Sequence, residues 1–261
     1  MKRTYVKLLT VAGLTGCFLF TSCRSAQETT ARYEISKVEG NMITIDSTWN
    51  ANPDKKATTV LKPYKDKVDA MMYEVIGTSE MKMDKGTPES LLSNLVASVL
   101  QEAAAQVLGK PADMGLVNMG GLRNILPKGD ITVGAVFEIL PFENSLCVLT
   151  MKGTDMKRLF KAIASLHGEG VSGIRLEIIL KGELLNATIG GKPVVDDQLY
   201  TVATIDYLAD GNGRMDAFLQ AEKRECPEDA TLRGLFLDYV RKQTAEGKII
   251  TSKLDGRITV K

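Results

Sequence analysis

Apolar residues in this chain recur with two different spacings, and this mixture restricts the fold more than any other feature of the sequence. Spacings of three and four residues indicate amphipathic helices, whereas alternation with polar residues indicates half-buried strands. The alternating segment 174–180 and the segment 183–189, which precedes Gly190-Gly191, predict a hairpin. Helices interleaved with antiparallel hairpins predict an α/β (α+β) sandwich, in which helices flank a mixed sheet.

Two local signals set boundaries in this pattern. Thr87-Pro88 predicts the cap and first turn of the longest core helix, which should end at Gly109. Gly129-Asp130 predicts a turn. The predicted helices are 60–76, 87–109, 132–139, 154–166 and 231–246, and the further strands are 115–118, 145–152, 200–205 and 257–260.

The N-terminus is typical of a secretory signal. Basic residues precede an apolar run, Leu8 to Phe20, that is too short to span a bilayer. Either Cys17 or Cys23 follows a lipobox-like sequence, and we favour Cys23 as the lipidated residue because cleavage before Cys17 would expose Phe18-Leu19-Phe20. A plain signal peptide with incidental cysteines is the alternative. Residues 1–22 are therefore predicted to be a lipoprotein signal peptide of a bacterial cell-envelope protein, periplasmic or outer-membrane-associated, that contacts the membrane through its anchor alone.

The remaining chain is long enough for one large domain with an arm. Residues 23–59 are polar and rich in turn formers, so we predict a loosely structured arm, to which Met42–Ile45 could add a strand. Residues 60–261 are predicted to form the domain. Its charge is balanced, since the whole chain has 33 Lys and Arg against 32 Asp and Glu residues. We expect no binding of nucleic acid polymers.

Cysteine and histidine are scarce, and this limits the chemistry. Cys147 and Cys226 do not make a disulfide scaffold, and Cys147 is predicted to be a small buried apolar residue. The single histidine, His167, follows a helix and is predicted to be a C-terminal cation or a solvated side chain. One imidazole cannot supply the ligands of a two-metal hydrolase, and the chain has no nucleophile elbow, phosphate-cradling Walker-type loop or zinc motif. We therefore predict no metal site and no catalytic residue in this chain.

Three loops carry the candidate binding residues. In the first, Asn118 ends a strand, Gly120 and Gly121 permit close approach of a ligand to the backbone, and the Arg123 guanidinium suits phosphate or carboxylate. A tight turn beside a solvated arginine is the alternative. The other two loops carry Phe142 and Tyr207, aromatic residues that could stack on a purine or could be ordinary core residues.

In their order along the chain, these loops resemble the C-terminal domain of the 5'-nucleotidases. Residues 117–123 are similar to the family motif N-x-G-G-(I or L)-R, Pro141-Phe142-Glu143-Asn144 to P-F-x-N, and Tyr207-Leu208-Ala209 to F-L-A. The resemblance covers about residues 60–261. It implies the domain fold of that family, a nucleoside or nucleotide ligand between Phe142 and Tyr207, and contacts of Asn118, Gly121 and Asn144 with the base or ribose. It also implies that Arg123 reaches the phosphate.

The chain departs from the family pattern in two places. The loop 210–213 is one residue shorter than the family's N-G-G-D-G, and Asn212 stands nearest to its ribose-binding Asp. The arginine that the family places before its E-S helix is absent from residues 84–88, where Lys85 could substitute. We therefore expect base recognition to be better preserved than phosphate recognition, so a nucleoside, a base or a different conjugate stays open as the ligand.

The resemblance also implies a partner. In that family the phosphate ester is cut by an N-terminal metallophosphoesterase domain with a two-metal centre, and a helix similar to 60–76 links the two domains. We predict that this chain is the substrate-recognition half of a split hydrolase and holds no cofactor, while a separate metallophosphoesterase chain carries the divalent metals. The alternatives are a non-catalytic nucleoside-binding or protein-interaction lipoprotein and, least favoured, an independent enzyme that uses Arg123.

Overall fold

The computed structural model describes residues 34–261. The predicted signal peptide, Cys17 and Cys23 lie outside the described residues. Residues 34–53 belong to a unit of their own, in which Ser47–Ala51 form one 3-10 turn capped by Asp46. No strand forms at Met42–Ile45 within this described part of the arm, so that prediction is wrong. Trp49 instead donates from Nε1 to the Thr44 carbonyl, at 2.9 Å.

The second unit comprises Asp54–Lys261. Its helices are α1 (Lys55–Met72), α2 (Leu91–Ala103), α3 (Ala105–Leu108), α4 (Val133–Ile139), α5 (Gly153–Ser165), α6 (Asp206–Ala209) and α7 (Leu232–Ala245). Its strands are β1 (Val75–Ser79), β2 (Met114–Val117), β3 (Gly129–Thr132), β4 (Leu146–Lys152), β5 (Gly170–Ser172), β6 (Ile174–Ile178), β7 (Leu184–Ile189), β8 (Lys192–Pro193), β9 (Leu199–Ile205), β10 (Lys223–Glu225) and β11 (Ile258–Val260).

These strands form one large mixed sheet and two smaller sheets. The large sheet has the order β10-β4-β9-β2-β5, the second has the order β11-β6-β7-β8, and β1 pairs with β3. Two strand pairs are parallel, β2 with β9 and β11 with β6, and the other pairs are antiparallel. The predicted mixed α/β architecture with flanking helices is confirmed.

Helix α2 is the central helix of the core. It packs on β2 and β5 of the large sheet, and eight of its thirteen residues are buried. The approach is close because Gly115 has no side chain, since a Cβ there would lie 2.2 Å from the Ala97 carbonyl oxygen. Residues Leu91–Leu108 have the length and hydropathy of a membrane span, but half of this segment is buried inside the fold.

Three predicted boundaries are wrong. Helix α1 begins at Lys55, where Asp54 caps its first turn, and ends at Met72, so that Val75 and Ile76 lie in β1 instead. Helix α2 is capped by Ser90, whose side chain accepts from the Ser93 N–H, and Thr87-Pro88 lie before the helix. Gly129 and Asp130 begin β3 and do not form a turn, because they pair with Ser79 and Thr78 of β1. In each case a contact with a distant segment or a nearer cap decides the boundary.

The prediction for Cys147 is half right. Cys147 is buried, but it is bonded to Cys226, with the two Cα atoms 4.2 Å apart. Strand β10 pairs antiparallel with β4, with Glu225 opposite Val148, and this register brings Cys226 beside Cys147. The two cysteines are 79 residues apart in sequence, so their proximity depends on the sheet.

Candidate functional site

The topology brings the three predicted loops to one edge of the large sheet. Strands β2 and β9 are parallel neighbours, so their carboxyl ends point to the same edge. Strand β4 runs antiparallel to β9, and its first residue, Leu146, pairs with Ile205, the last residue of β9. The loop before β4 therefore meets the loops after β2 and β9. Such an edge of an α/β sheet is a common place for a ligand site.

A cleft of about 320 Å³ opens at this edge. Its volume is at the lower end of the range usual for small-molecule sites. Six of the eight predicted binding residues line the cleft, and they come from all three loops: Asn118, Gly120, Gly121, Phe142, Asn144 and Tyr207.

The two aromatic rings of the cleft are not core residues. Phe142 is 49% exposed and Tyr207 is 44% exposed, although both are large apolar side chains. Among the described residues the one aromatic pair in contact is Phe236 with Tyr239, so the two cleft rings do not stack on each other. The alternative that both rings are ordinary core residues is wrong.

Asn118 brings an unsatisfied polar atom to the cleft. Its Oδ1 is buried and has no hydrogen-bond partner in the structure. The two glycines leave room for this side chain, since a Cβ on Gly121 would lie 3.0 Å from Oδ1 and one on Gly120 would lie 3.3 Å from Nδ2. An unpaired buried carbonyl oxygen costs about 1–3 kcal/mol, so a ligand that donates a hydrogen bond to it gains affinity.

The glycine loop is held from two sides. Met119–Gly121 form a 3-10 turn, and the Met119 backbone N–H donates to the carboxylate of Glu169. Lys85 donates from Nζ to the carbonyls of Leu122 and Met119. Lys85, predicted as a possible phosphate ligand, thus bonds the backbone of the loop.

Glu169 was not anticipated from the sequence. It directly precedes β5, whose Gly170 pairs with Val117 of β2, and this register places Glu169 beside the glycine loop. Burial raises the pKa of Glu169 to about 7, and the hydrogen bond from the Met119 N–H opposes that rise. Only the pairing of β2 with β5 identifies this contact, because Glu169 and Met119 are 50 residues apart.

Asp206 is the second residue that the sequence reasoning missed. Its Oδ1 accepts from Asn144 Nδ2 at 3.0 Å and from the Tyr207 backbone N–H at 2.7 Å. One carboxylate oxygen therefore positions two cleft residues from different loops. Because Nδ2 of Asn144 faces Asp206, the amide orientation of Asn144 is set by this bond. The position of an acidic residue directly before the predicted aromatic residue was the available signal.

Arg123 and Asn212 do not line the cleft. Arg123 is exposed and donates from Nη1 to the Gly120 carbonyl at 3.3 Å, so its guanidinium lies beside the glycine loop. Asn212 is exposed in a 3-10 turn that follows Gly211, whose φ is +82°.

His167 is exposed, and its Nε2 lies 3.2 Å from the Leu180 carbonyl oxygen. Within residues 34–261, no group of three or more His, Cys, Asp or Glu side chains is placed to hold a metal.

A wider hollow of about 690 Å³ lies elsewhere, between Gln101 of α2 and the β7–β8 turn. Its one aromatic residue, Tyr200, is buried and accepts a hydrogen bond from the Val195 N–H at 3.0 Å. The hollow contains none of the predicted residues. The smaller cleft, with its exposed rings, is therefore the better candidate for recognition of a planar ligand.

Comparison with known proteins identifies the family. The family model for the 5'-nucleotidase C-terminal domain matches residues 74–220. The chain belongs to this family. Its relatives include the endonuclease YhcR of Bacillus subtilis, 28% identical over 188 residues, and the protein UshA of Yersinia enterocolitica, 26% identical over 184 residues. The crystal structure of a 5'-nucleotidase precursor from Thermus thermophilus is 27% identical and superposes with a TM-score of 0.67.

The match covers most of this chain but a minor part of each relative. It spans 69% of this chain and 15% of YhcR, and 68% of this chain and 33% of UshA. For the Thermus thermophilus structure it spans 81% of this chain and 44% of the other. The shared region is therefore one domain, and the activities of the whole relatives do not transfer with it.

Proposed function

We propose that this chain is the substrate-recognition half of a split 5'-nucleotidase-type hydrolase, and that it binds a nucleoside or nucleotide in the cleft. One observation carries the proposal. The rings of Phe142 and Tyr207 are exposed in the same cleft as the unpartnered Oδ1 of Asn118. Exposed rings suit a planar ligand, and a buried acceptor suits one that carries N–H or O–H groups.

The chemistry of the cleft matches a nucleobase. Stacking of a base on an aromatic side chain is worth about 1–3 kcal/mol. Phe142 and Tyr207 do not stack on each other, so each ring can stack on a base. We propose that Asn118 Oδ1 accepts from an exocyclic amine, a ring N–H or a ribose hydroxyl of the ligand. Asn144, whose Nδ2 is held by Asp206, offers the rest of its amide to the base edge.

Phosphate recognition is the weaker part of the site. The exposed Arg123 beside Gly120 is the cation proposed to reach a phosphate group. Lys85 already bonds two backbone carbonyls, and Asn212 lies outside the cleft lining. We propose that the base is enclosed in the cleft and that the phosphate extends past Arg123, where a second protein can act on it.

The catalytic half is proposed to be a separate metallophosphoesterase chain that holds the divalent metals, with no cofactor in this chain. We further propose that Cys23 carries the lipid anchor and that the protein works in the bacterial cell envelope, in the periplasm or at the outer membrane. The Cys147–Cys226 disulfide supports this location, because disulfides persist in oxidising compartments.

Titration of the soluble domain with adenosine, AMP and a UDP-sugar by calorimetry tests the ligand assignment. Phe142→Ala is expected to weaken binding about 5- to 150-fold, because it removes about 1–3 kcal/mol of stacking. Leu180→Ala is the matched control, because Leu180 is also exposed but lies outside the cleft. Equal affinities of Phe142→Ala and the wild type for every ligand would refute the assignment.

The second candidate is a non-catalytic nucleoside-binding or protein-interaction lipoprotein. It is favoured by the engagement of Lys85 with the glycine loop, which leaves fewer cations for a phosphate. Under this alternative the purified chain would bind adenosine at least as well as AMP, and it would never raise the turnover of a co-expressed phosphoesterase.

A further inference from the structure

Helix α1 exposes an apolar face that the described residues of its own unit leave uncovered. None of its 18 residues is buried, and Leu61, Tyr64, Val68 and Met71 are between 50% and 69% exposed. The helix meets the rest of the unit at its C-terminal end, where the Met72 backbone lies against Gly134 of α4. The described residues of this unit therefore leave the rest of this face uncovered.

The spacing of these four residues indicates what kind of surface covers them. They follow one another at intervals of three, four and three residues, which is the a/d pattern of a coiled-coil seam. We name this set the α1 seam. Such a narrow stripe fits a helix or a groove of another protein, whereas a helix lying on a membrane needs a wider apolar face.

Helix α1 is also a poor helix without a partner. Most helical stability in proteins comes from packing of an apolar face, and α1 has no buried residue. Pro63 lies inside the helix, where it removes one backbone hydrogen bond and crowds the preceding turn. A covered seam would stabilise this helix.

The charges beside the seam identify the chemistry of the partner. Helix α1 has five lysines and two aspartates, so its net charge is positive. Lys62 and Lys65 are paired with Asp66 and Asp69, but Lys67 forms no ion pair within the described chain. By heptad position, Lys65 and Lys67 flank the seam on its two sides. A matching surface therefore has an apolar groove with carboxylates along its rims.

The same lysines argue against a second copy of this chain. If two α1 helices paired antiparallel, with Leu61 opposite Met71, Lys65 and Lys67 of each copy would lie beside the lysines of the other. Like charges in such positions oppose association. A heterologous partner is thus favoured over a dimer.

We infer that the α1 seam is a docking surface for a separate protein chain with an apolar, acid-rimmed groove. The identity of that chain as the metallophosphoesterase partner rests on the proposed function. Helix α1 contributes no residue to the lining of the cleft, so the docking surface and the proposed nucleoside site are separate sets of residues.

Site-specific photo-cross-linking of the full chain in cells of its source organism tests this inference. The photoreactive residue p-benzoylphenylalanine replaces either Tyr64 or Met71 in the seam. As a control, it replaces Asp66 on the opposite face of the helix. The expected result is an adduct with a metallophosphoesterase chain, identified by mass spectrometry, from the two seam positions and not from position 66. When Val68→Asp is combined with either seam variant, the adduct yield is expected to fall about tenfold, because the substitution places an unpaired carboxylate in an apolar contact. Ala70→Asp is the control and should leave the yield unchanged.

Adducts with a second copy of this chain, with phospholipid or with residues of the same chain would each overturn the inference. So would an adduct with another class of protein, equal yields from position 66, or no adduct. Failure here is distinguishable from failure of the proposed function, because adenosine titration of the Val68→Asp domain reports on the cleft alone. Unchanged adenosine affinity without a seam adduct would reject the docking surface and retain the binding site.

Discussion

The cleft and helix α1 both expose large apolar side chains, but they do so in opposite settings. Phe142 and Tyr207 lie at the edge of the large sheet, in a concave site that also contains an unpaired buried oxygen. Leu61 and Val68 lie on a convex helix with lysines beside them. Exposure alone therefore does not identify a ligand. The shape and polar groups around the exposed residues separate a small-molecule site from a protein contact.

The two regions also differ in how the rest of the fold supports them. Cleft residues lie at the ends of the buried strands β2, β4 and β9, and Glu169 and Asp206 hold their loops, whereas α1 contacts the unit at one end. We therefore expect substitutions behind the cleft to change stability or binding, and substitutions in the α1 seam to change neither in the isolated domain.

The largest expected effect outside the apolar core is a gain in stability from Glu169→Gln. The folded state raises the pKa of Glu169 from 4.5 to about 7, so the folded protein holds this proton more tightly than the unfolded chain. Its contribution to the free energy of unfolding is full below about pH 4.5 and is lost as the pH rises through about 7. The loss amounts to about 3 kcal/mol, at 1.36 kcal/mol for each pKa unit. A glutamine keeps an acceptor for the Met119 N–H without this loss.

Denaturant unfolding at pH 5 and pH 8 measures this difference. Glu169→Gln should be more stable than the wild type at pH 8 by up to about 3 kcal/mol, and by much less at pH 5. Glu183→Gln, at an exposed glutamate, is the control and should follow the wild type at both values. A variant that is less stable than the wild type at pH 8 would mean that Glu169 supports the loop mainly through its charge.

The next effect concerns binding. Asp206→Ala removes the acceptor that positions Asn144 and the Tyr207 backbone, so we expect adenosine affinity to fall about 5- to 30-fold, or 1–2 kcal/mol. Asp210→Ala is the matched control, since Asp210 is exposed and pairs with Arg224 outside the cleft. Calorimetric titration gives both constants. If the two variants bind alike, the cleft does not depend on Asp206.

The smallest effect is predicted for the seam. In the purified domain, Leu61→Ser should change the free energy of unfolding by less than about 0.5 kcal/mol, because the side chain is 59% exposed. Leu116→Ala, at a buried position of β2, should cost about 2–5 kcal/mol in the same denaturant experiment. A cost above about 1 kcal/mol for Leu61→Ser would show that another part of this chain covers the seam.

Local patterns accounted for most of the secondary structure, and the resemblance to the 5'-nucleotidase C-terminal domain selected the residues of the cleft. Turn residues after an apolar strand or helix marked the loops at Asn118, Phe142 and Tyr207, and the structure brings these loops together. The sequence did not reveal contacts that depend on strand pairing. Glu169 reaches Met119 across 50 residues, and Asp206 reaches Asn144 across 62 residues.

The same limit applies to the disulfide and to the helix boundaries. Cys226 meets Cys147 only because β10 pairs with β4. Val75 and Ile76 continue the helical spacing of α1, yet they lie in β1, which pairs with β3. Periodicity describes one segment at a time, and it cannot show which distant strand will compete for the same residues.

The single oxygen of Asp206 that serves two donors has a consequence for selectivity. Because it joins the amide of Asn144 to the backbone of Tyr207, a ligand that shifts the Tyr207 backbone would also shift the amide proposed to contact the ligand edge. The width of the ligand ring and the hydrogen-bonding pattern of its edge would then act on the same pair of linked residues. A bicyclic and a monocyclic heterocycle should therefore differ both in how deeply they insert and in which hydrogen bonds they form.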